Sequence, residues 1–371
     1  MGTPLDKTDF HGLDGIAHLA AGGETPPLFR HTEAAGQFLA DKALGMPGRQ
    51  RFFAVIATLR ERLARLLGGV PAADIGLLAS ASQGLYAAAS GIDWRPGDNV
   101  VTALSEFPSV LHACSTMPGV ELRAVGAAAV PTLEEIAAAV DGRTRMLAVS
   151  HVSYLTGARV DLAALRAIAD RVGARLVVDA SHALGVVAVD GALCDVVVSC
   201  AYKWMLGCHG IGLFFVNGRR WPDLAAPWMG WHSLRGEEDW RKRAVALPKE
   251  TMERFEAGNP AFLPGYLLNE GTGTLLAAGV AAIEGHVAPL AGSLRDGLVR
   301  LGLPVLTPAP ASDRAGNICF ATERSMALEE GLREAGVLTW GGDGRLRISV
   351  HGYNDEGDVA RALDTLRRLG A

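Results

Sequence analysis

The sequence predicts an α/β fold in which helices flank a mostly parallel sheet, followed by a smaller α+β domain towards the C-terminus. Short runs rich in Val, Ile and Leu alternate with stretches whose apolar residues recur at helical spacing. Parallel strands that are buried on both faces produce such continuous apolar runs. After about residue 220 the pattern changes to aromatic loops, short strand-like pieces and amphipathic helices, which indicates a second unit.

The middle of the chain supplies the elements of the sheet. We predict strands over 73–80, 98–106, 144–153, 174–183, 194–204 and 210–218. We predict helices over 82–92 and 161–173, and a further helix that begins at Pro131–Thr132. Ligands of such sheets bind at the carboxyl ends of the strands. We therefore expect one edge of the sheet to gather Ser82, residues 106–109, Ser153, residues 179–182 and residues 202–203.

The C-terminal part predicts a helix over 266–285, strand-like pieces over 304–308, 316–322 and 345–350, and amphipathic helices over 323–336 and 355–370. The change of pattern places the domain boundary near 260–275.

Composition excludes several classes of protein. The chain has 371 residues, which suggests two to three domains, and is 49% hydrophobic and 20% charged, which excludes general disorder. No run approaches the length of a membrane-spanning helix, and a net charge of −5 argues against nucleic-acid binding. Five scattered cysteines and an N-terminus without a signal-peptide pattern predict a cytoplasmic protein. No zinc-ligand spacing or metalloprotease motif occurs, so we expect no metal site.

Lys203 is the first candidate for chemistry. The chain contains only five lysines, and Lys203 is the only one between residues 43 and 241. It follows a buried strand and precedes a glycine-rich loop. Burial disfavours the charged ammonium, and a neutral amine can form a Schiff base. The alternative is a lysine that reaches the surface or pairs with an acid.

Asp179 and His182 are the next candidates. Asp179 ends the run LVVD, 24 residues before Lys203, and a buried carboxylate there needs a cationic partner. The protonated ring nitrogen of pyridoxal phosphate is such a partner. The alternative for Asp179 is a helix cap, and the alternative for His182 is a loop histidine with no chemical role.

The segments DASHALG and SCAYKW resemble the class V aminotransferase superfamily of pyridoxal-phosphate enzymes, from about Ala20 to the C-terminus. The segments EFPS and HVSYLTG make the local resemblance kynureninase-like or cysteine-lyase-like. The resemblance implies the fold type I architecture, with a large domain over 16–265 and a small domain formed by 1–15 and 266–371.

The resemblance also implies roles for single residues. Lys203 would bind pyridoxal phosphate covalently, Asp179 would face its ring nitrogen, and His182 would lie near its ring or 3-oxygen. Further cofactor contacts would come from Ser82, Gln83, Phe107, Ser153, Tyr202, Trp231 and Asn259. Phe107 would stack on the ring, and Asn259 would reach the cofactor of a neighbouring subunit, which implies a homodimer with active sites at the interface. Packing in the core or in loops is the alternative for Phe107, Trp231 and Asn259.

Two residues near the C-terminus are implied to bind the substrate. Arg347 would hold the α-carboxylate of an amino acid, because a planar guanidinium suits bidentate recognition. Arg345 lies on the same strand face and is an alternative to it. Trp340 would contact the substrate or pack in the core. The loop before Arg347 contains no cysteine, which argues against a desulfurase that forms a persulfide.

The resulting hypothesis is a pyridoxal-phosphate enzyme that acts on an amino acid through Lys203, with cleavage at a C–S or C–C bond of the side chain. An aminotransferase or an epimerase of the same family is the alternative within this chemistry. A non-catalytic relative that only binds, or an unrelated α/β enzyme with an accidental buried lysine, is the alternative outside it.

Overall fold

The computed structural model describes residues 2–126, 131–236 and 247–371. Within these residues three sheets and ten α-helices make up the regular structure. The strands are β1 (Ala17–His18), β2 (Ile75–Leu78), β3 (Asn99–Ala103), β4 (Glu121–Val125), β5 (Thr144–Ser150), β6 (Arg175–Asp179), β7 (Val196–Cys200), β8 (Gly212–Val216), β9 (Asn317–Ala321), β10 (Val337–Leu338), β11 (Trp340–Gly342) and β12 (Arg345–Ser349). The helices are α1 (Phe29–Ala43), α2 (Met46–Leu66), α3 (Ala81–Ser90), α4 (Pro108–His112), α5 (Leu133–Ala139), α6 (Leu162–Asp170), α7 (Phe262–Ala278), α8 (Val280–Arg300), α9 (Ser325–Glu334) and α10 (Glu356–Arg368).

The central sheet has seven strands in the order β2-β8-β7-β6-β5-β3-β4. Strands β7, β6, β5, β3 and β4 are mutually parallel, whereas β8 runs antiparallel to both of its neighbours. The buried Val-rich strands β6 and β7 form its centre and bring their carboxyl ends to one edge. The predicted mostly parallel sheet is confirmed.

The C-terminal part forms the predicted smaller α+β unit. Its antiparallel sheet has the order β11-β12-β9, and α8, α9 and α10 pack around it. The N-terminal residues contact this part: Lys7 Nζ lies 2.6 Å from Asp355, and β1 pairs with β10. Helix α7 packs along α1 and α2 of the large unit. The division at residue 265 stays a prediction.

Several local predictions were wrong. The helix expected over 266–285 is two helices, because Gly279 lies in the left-handed region with φ of 82° and breaks the chain direction. The strand expected over 304–308 is reduced to one bridge between Val305 and Phe320. Its two prolines have no N–H to donate to a sheet. No single described helix has the length and apolar composition of a membrane span; only α7 and α8 taken together, which meet at 78°, reach it.

Candidate functional site

The turn after β7 holds the backbone of Lys203 in place. Gly207 N donates a hydrogen bond to Ala201 O at 2.9 Å, and the buried Leu206 adopts a left-handed φ of 55°. A non-glycine residue in this region is uncommon and has to be held by its surroundings. From the N-terminal loop, the Thr25 hydroxyl donates to Lys203 O at 2.9 Å. The lysine is therefore presented from a rigid turn.

A chain of hydrogen bonds leads from the small sheet to the Lys203 amine. The Ser349 hydroxyl donates to Asn317 Oδ1 at 2.8 Å, and Asn317 Nδ2 donates to His182 Nδ1 at 2.9 Å. The Nε2 atom of His182 lies 3.1 Å from Lys203 Nζ. Burial, with the positive charges of Lys203 and of nearby arginines, lowers the pKa of His182 well below its usual value. In a neutral imidazole whose Nδ1 accepts, the proton is on Nε2 and points at Lys203.

Asp179 lies at the carboxyl end of β6 and is only 6% exposed. Its Oδ1 accepts a hydrogen bond from Ser181 N at 2.8 Å. Burial raises the pKa of Asp179, and the nearby Lys203 charge only partly opposes this. Among the described residues no cationic side chain forms an ion pair with it, so the site contains a buried carboxylate that a cation would stabilise.

The N-terminus of α3 forms the polar end of the same cleft. Ser80, not Ser82, caps the helix: its Oγ accepts from Gln83 N at 3.2 Å. The Ser82 and Ser109 hydroxyls lie 2.7 Å apart. The Gln83 amide turns back, and its Oε1 accepts from Ala79 N at 3.0 Å. Ser82 lies in the first turn of α3 and Ser109 in the first turn of α4, and hydroxyls beside a helix N-terminus suit a phosphate group.

Phe107 forms one wall of the cleft. Its ring centroid lies 5.8 Å from Lys203 Nζ and 5.2 Å from the ring of Tyr154, which it meets edge-on. Beside it Glu106 accepts hydrogen bonds from Ser150 N at 2.6 Å and from Ser150 Oγ at 2.5 Å. Burial, with a smaller contribution from the charge of Asp179, raises the pKa of Glu106 to about 7.

Other predicted cofactor contacts differ in how they are placed. Tyr202 lines the cleft and stacks on His209 at 3.9 Å. The Ser153 hydroxyl accepts from Leu155 N and Thr156 N, and so it stabilises its own turn. The described lining of the cleft consists of Ser80, Ala81, Ser82, Phe107, Ser109, Ser150, Val152, Tyr154, Asp179, Ser181, His182, Cys200, Tyr202 and Lys203.

Trp231 and Asn259 lie outside this lining. Trp231 is 48% exposed, and Asn259 is exposed. Arg49 connects them, because its Nη2 donates to Asn259 Oδ1 at 2.6 Å and its Cζ lies 5.6 Å from the Trp231 ring. Within one chain the structure does not bring these two residues into the Lys203 cleft.

Arg347 and Arg345 are both buried on the same face of β12, with 5% and 3% exposure. Both guanidinium groups contact the Trp340 ring, with Cζ to centroid distances of 4.9 Å and 4.7 Å. Arg347 Nη1 donates to Tyr154 O at 3.4 Å, and Arg347 Nε has no hydrogen-bond partner within the described residues. Tyr154 lines the cleft and contacts both arginines, so the pair lies beside the cleft.

The cysteines do not provide a loop nucleophile. All five are unpaired, and Cys114, Cys194, Cys200 and Cys319 are buried. Cys319 lies on β9 directly opposite Arg347, and burial raises the pKa of its thiol to about 11. Cys208, which is partly exposed, follows the Lys203 turn and does not precede Arg347.

Another group of potential metal ligands lies apart from the cleft lining, at His232, Glu253 and Glu256. Arg60 already occupies it: its Nη1 lies 3.2 Å from Glu253 Oε1 and its Nη2 lies 2.7 Å from Glu256 Oε1. We interpret this group as a buried ion-pair network that anchors α2.

Sequence reasoning placed Glu106 at this edge of the sheet but missed three residues of the site: Ser150, Tyr154 and Asn317. Tyr154 stands within the quoted motif HVSYLTG, which was the available signal. Asn317 gives no such signal, because only the pairing of β9 with β12 places it beside Ser349.

Comparison with known proteins identifies the family. The model described as aminotransferase class-V matches residues 47–361. An uncharacterized aminotransferase YcbU of Bacillus subtilis is 24% identical, over 83% of this chain and 82% of the relative. A cysteine desulfurase of Salmonella newport is 27% identical, over 84% of this chain and 81% of the relative.

Solved structures show the same fold. A cysteine desulfurase from Thermococcus onnurineus superposes with a TM-score of 0.88 at 22% identity, covering 98% of this chain and 96% of the other. The cystine C-S lyase C-DES, solved with cysteine persulfide, superposes with a TM-score of 0.86 at 21% identity. The match covers 97% of this chain and 99% of the other. A C-DES mutant structure contains glycine linked to its pyridoxal-phosphate cofactor. The chain belongs to the class V aminotransferase family of pyridoxal-phosphate-dependent enzymes, with the fold type I architecture.

Proposed function

We propose that this enzyme cleaves a C–S or C–C bond in the side chain of an amino acid, using Lys203 as the cofactor anchor and proton-transfer group. One observation carries the proposal. The Lys203 amine and the unpaired carboxylate of Asp179 line one cleft, and Arg347 contacts Tyr154 at its border, whereas no cysteine lies in the loop before Arg347.

The residues fit pyridoxal phosphate. Asp179 would hold the protonated ring nitrogen, and the Ser82 hydroxyl in the first turn of α3 and the Ser109 hydroxyl in the first turn of α4 would hold the phosphate. Phe107 would pack against the ring, and Tyr202 would donate to the phosphate. The bound cofactor supplies an electron sink for negative charge that develops at Cα of the substrate.

The chain's own groups then have separate tasks. Arg347 binds the substrate α-carboxylate through its unpaired Nε edge, which fixes the orientation of Cα. Lys203 accepts the Cα proton, and His182 positions the Lys203 amine through the 3.1 Å contact. The N-terminal loop and Trp340 cover Arg347 and exclude water from its guanidinium.

The placement of the cysteines favours a lyase that releases its leaving group without transfer to a protein thiol. This chemistry resembles that of a C-S lyase or a kynureninase more than that of a persulfide-forming desulfurase. Transamination and epimerisation differ only in where the proton returns, and the product experiment separates them.

The first experiment measures the visible absorbance of the purified protein and of Lys203→Ala. We expect the wild type to show the band of the lysine-bound cofactor and borohydride to attach that cofactor irreversibly to the peptide that contains Lys203. Lys249→Ala, which alters a lysine that pairs with Glu253 outside the cleft, is the control and keeps the band. A wild type that stays colourless with added pyridoxal phosphate refutes the proposal.

The second experiment identifies the reaction from its products. Release of ammonia and a keto acid without any keto-acid acceptor indicates a lyase. A strict requirement for an acceptor indicates an aminotransferase, and exchange of the Cα proton without net consumption indicates an epimerase.

We also infer that the enzyme works as a homodimer in which Asn259 and Trp231 serve the partner's cofactor. Their exposure, and the exposed aromatic cluster they form with Arg49, support this arrangement. Mixing Lys203→Ala with Asn259→Ala tests it. Hybrid dimers contain one intact site, so activity returns on mixing; no recovery in a mixture shown to exchange subunits excludes the shared site.

The five unpaired cysteines support a reducing compartment, and we propose that the enzyme acts in the cytoplasm. The proposed partners are a small amino acid and a second copy of the chain. Fractionation of the native cells by immunoblot checks the compartment.

A further inference from the structure

Arg345 presents a second anion-binding edge beside the proposed substrate site. It is 3% exposed, and its Nε and Nη2 atoms have no hydrogen-bond partner within the described residues. Nε and Nη2 form one side of the planar guanidinium, which is the side that binds a carboxylate with two parallel hydrogen bonds.

The existing contacts of Arg345 supply no hydrogen-bond acceptor to this edge. Its Nη1 lies 3.5 Å from Oδ2 of Asp343, a carboxylate that is 73% exposed. Its Cζ lies 4.7 Å from the Trp340 ring and 5.0 Å from the Tyr154 ring. Two aromatic faces stabilise a cation but accept no hydrogen bond in the guanidinium plane. The buried N–H groups therefore still lack an acceptor, which is costly unless a ligand supplies one.

Strand register places the two arginines on one side of the sheet. Trp340 pairs directly with Arg347, and Gly342 pairs with Arg345. Residues two apart on a strand point to the same face, about 7 Å apart. Tyr154 lines the Lys203 cleft and contacts both arginines, one through its ring and the other through its carbonyl oxygen. Two adjacent buried cations therefore lie behind Tyr154, next to the described lining of the cleft.

We propose that the substrate is a short amino acid whose side chain ends in a carboxylate, with its α-carboxylate on Arg347 and its side-chain carboxylate on Arg345. This inference rests on the proposed function only in taking the Lys203 cleft as the substrate site. One guanidinium is enough for a neutral amino acid, whereas two carboxylates use both open edges.

The test uses inert acids, so that it does not depend on turnover. Binding of succinate, glutarate and butyrate to the cofactor-loaded enzyme is measured by calorimetry and by the change in cofactor absorbance. We expect succinate or glutarate to bind about 10- to 100-fold more tightly than butyrate, as for one additional charged, bidentate contact. Arg345→Met should abolish this preference and leave butyrate binding within about threefold.

Matched variants complete the experiment. Arg347→Met should weaken all three acids, and the exposed Arg333→Met should change none. For amino acids that bind to the cofactor, followed by the change in cofactor absorbance, Arg345→Met should weaken the binding of aspartate or glutamate far more than that of alanine or serine. If Arg345→Met does not fold, the test uses Arg345→Lys in its place. The preference of the wild type for succinate or glutarate over butyrate is then compared with that of Arg345→Lys.

An equal affinity of the wild type for succinate, glutarate and butyrate overturns the inference, and so does a preference that survives in Arg345→Met. Failure of the proposed function gives a different observation, because the protein then lacks the absorbance band of the lysine-bound cofactor. Calorimetry with the cofactor-free protein and the same acids would still decide the role of Arg345.

Discussion

The Nε2 atom of His182 lies 3.1 Å from the Nζ atom of Lys203. The other ring nitrogen of His182 accepts from Asn317 Nδ2, so the amide of Asn317 determines which tautomer faces the lysine. The proton of a neutral His182 then lies on Nε2, the ring nitrogen next to Lys203.

Replacing Asn317 with Asp should reverse this arrangement. A carboxylate accepts from Nδ1–H, which leaves Nε2 as an acceptor and favours the charged form of Lys203. We expect the pH dependence of covalent cofactor attachment, followed by absorbance, to shift upward by about one unit. Asn317→Ala, which removes the donor without adding charge, should shift it less. An identical pH profile for Asn317→Asp and wild type would show that the tautomer has no effect.

Glu106 should make the stability of the cofactor-free protein depend on pH. Its pKa is raised from 4.5 to about 7, so the folded state holds a proton that the unfolded chain releases earlier. Its contribution is fully present below pH 4.5 and is lost as the pH rises through 7. The free energy of unfolding of wild type should therefore fall between pH 5 and pH 8, and that of Glu106→Gln should not. Relative to wild type, the variant should become more stable over this range by as much as roughly 3 kcal/mol. Urea unfolding of both proteins at pH 5 and pH 8 measures this difference. An equal change in the free energy of unfolding of the two proteins would contradict the prediction.

Gly22 should be intolerant of a methyl group. A Cβ at this position would lie 2.6 Å from Asn317 Oδ1, 2.7 Å from Ser349 Oγ and 2.9 Å from Arg347 Nε. Gly22→Ala should therefore displace Arg347, which we propose binds the α-carboxylate, and we expect KM to rise about tenfold while the cofactor stays bound. The control is Gly285→Ala on α8, where a Cβ meets no atom within 4 Å and should stabilise the helix. An unchanged KM in Gly22→Ala would show that the Gly22 loop does not contribute to substrate binding.

Asp195 should be the costliest acid to remove from the large unit. It accepts from Leu176 N at 2.8 Å and forms a buried ion pair with Arg166. Asp195→Ala leaves the buried Arg166 guanidinium with only the exposed Asp170 as an ion-pair partner, and we expect a loss of about 3 kcal/mol in the free energy of unfolding. Asp364→Ala breaks an exposed pair with Arg367 and should cost less than about 1 kcal/mol. Similar losses in the two variants would show that the buried pair adds no stability.

The parts of the site that follow the central strands could be predicted from sequence. Asp179 ends a Val-rich run and Lys203 follows another, so parallel pairing alone brings them to one edge. Strand direction has no such local signature, which is why antiparallel β8 was not distinguished from its parallel neighbours. Edge strand β4, with the polar and exposed sequence ELRAV, also lacks the apolar run that marks a buried strand.

The substrate-binding side was harder to predict for a different reason. Arg347 was identified through its motif, but the role of Arg345 depends on which hydrogen-bonding edge is left free, and this is a property of three-dimensional contacts. Asn317 likewise acquires its role only when β9 pairs with β12. Trp231 and Asn259 lie outside the described lining of the Lys203 cleft, so the proposed contact needs a second copy.

The pairing of β1 with β10 joins residues 17–18 to residues 337–338. During synthesis the first strand therefore leaves the ribosome long before its partner exists, and it remains an unpaired edge for most of translation. Contacts of such long sequence separation fold slowly. The Gly22 loop that covers Arg347 follows β1 directly, so the substrate-binding side is expected to close last. Truncation near the C-terminus should then produce chains with an exposed N-terminal strand, prone to aggregate before they can bind the cofactor.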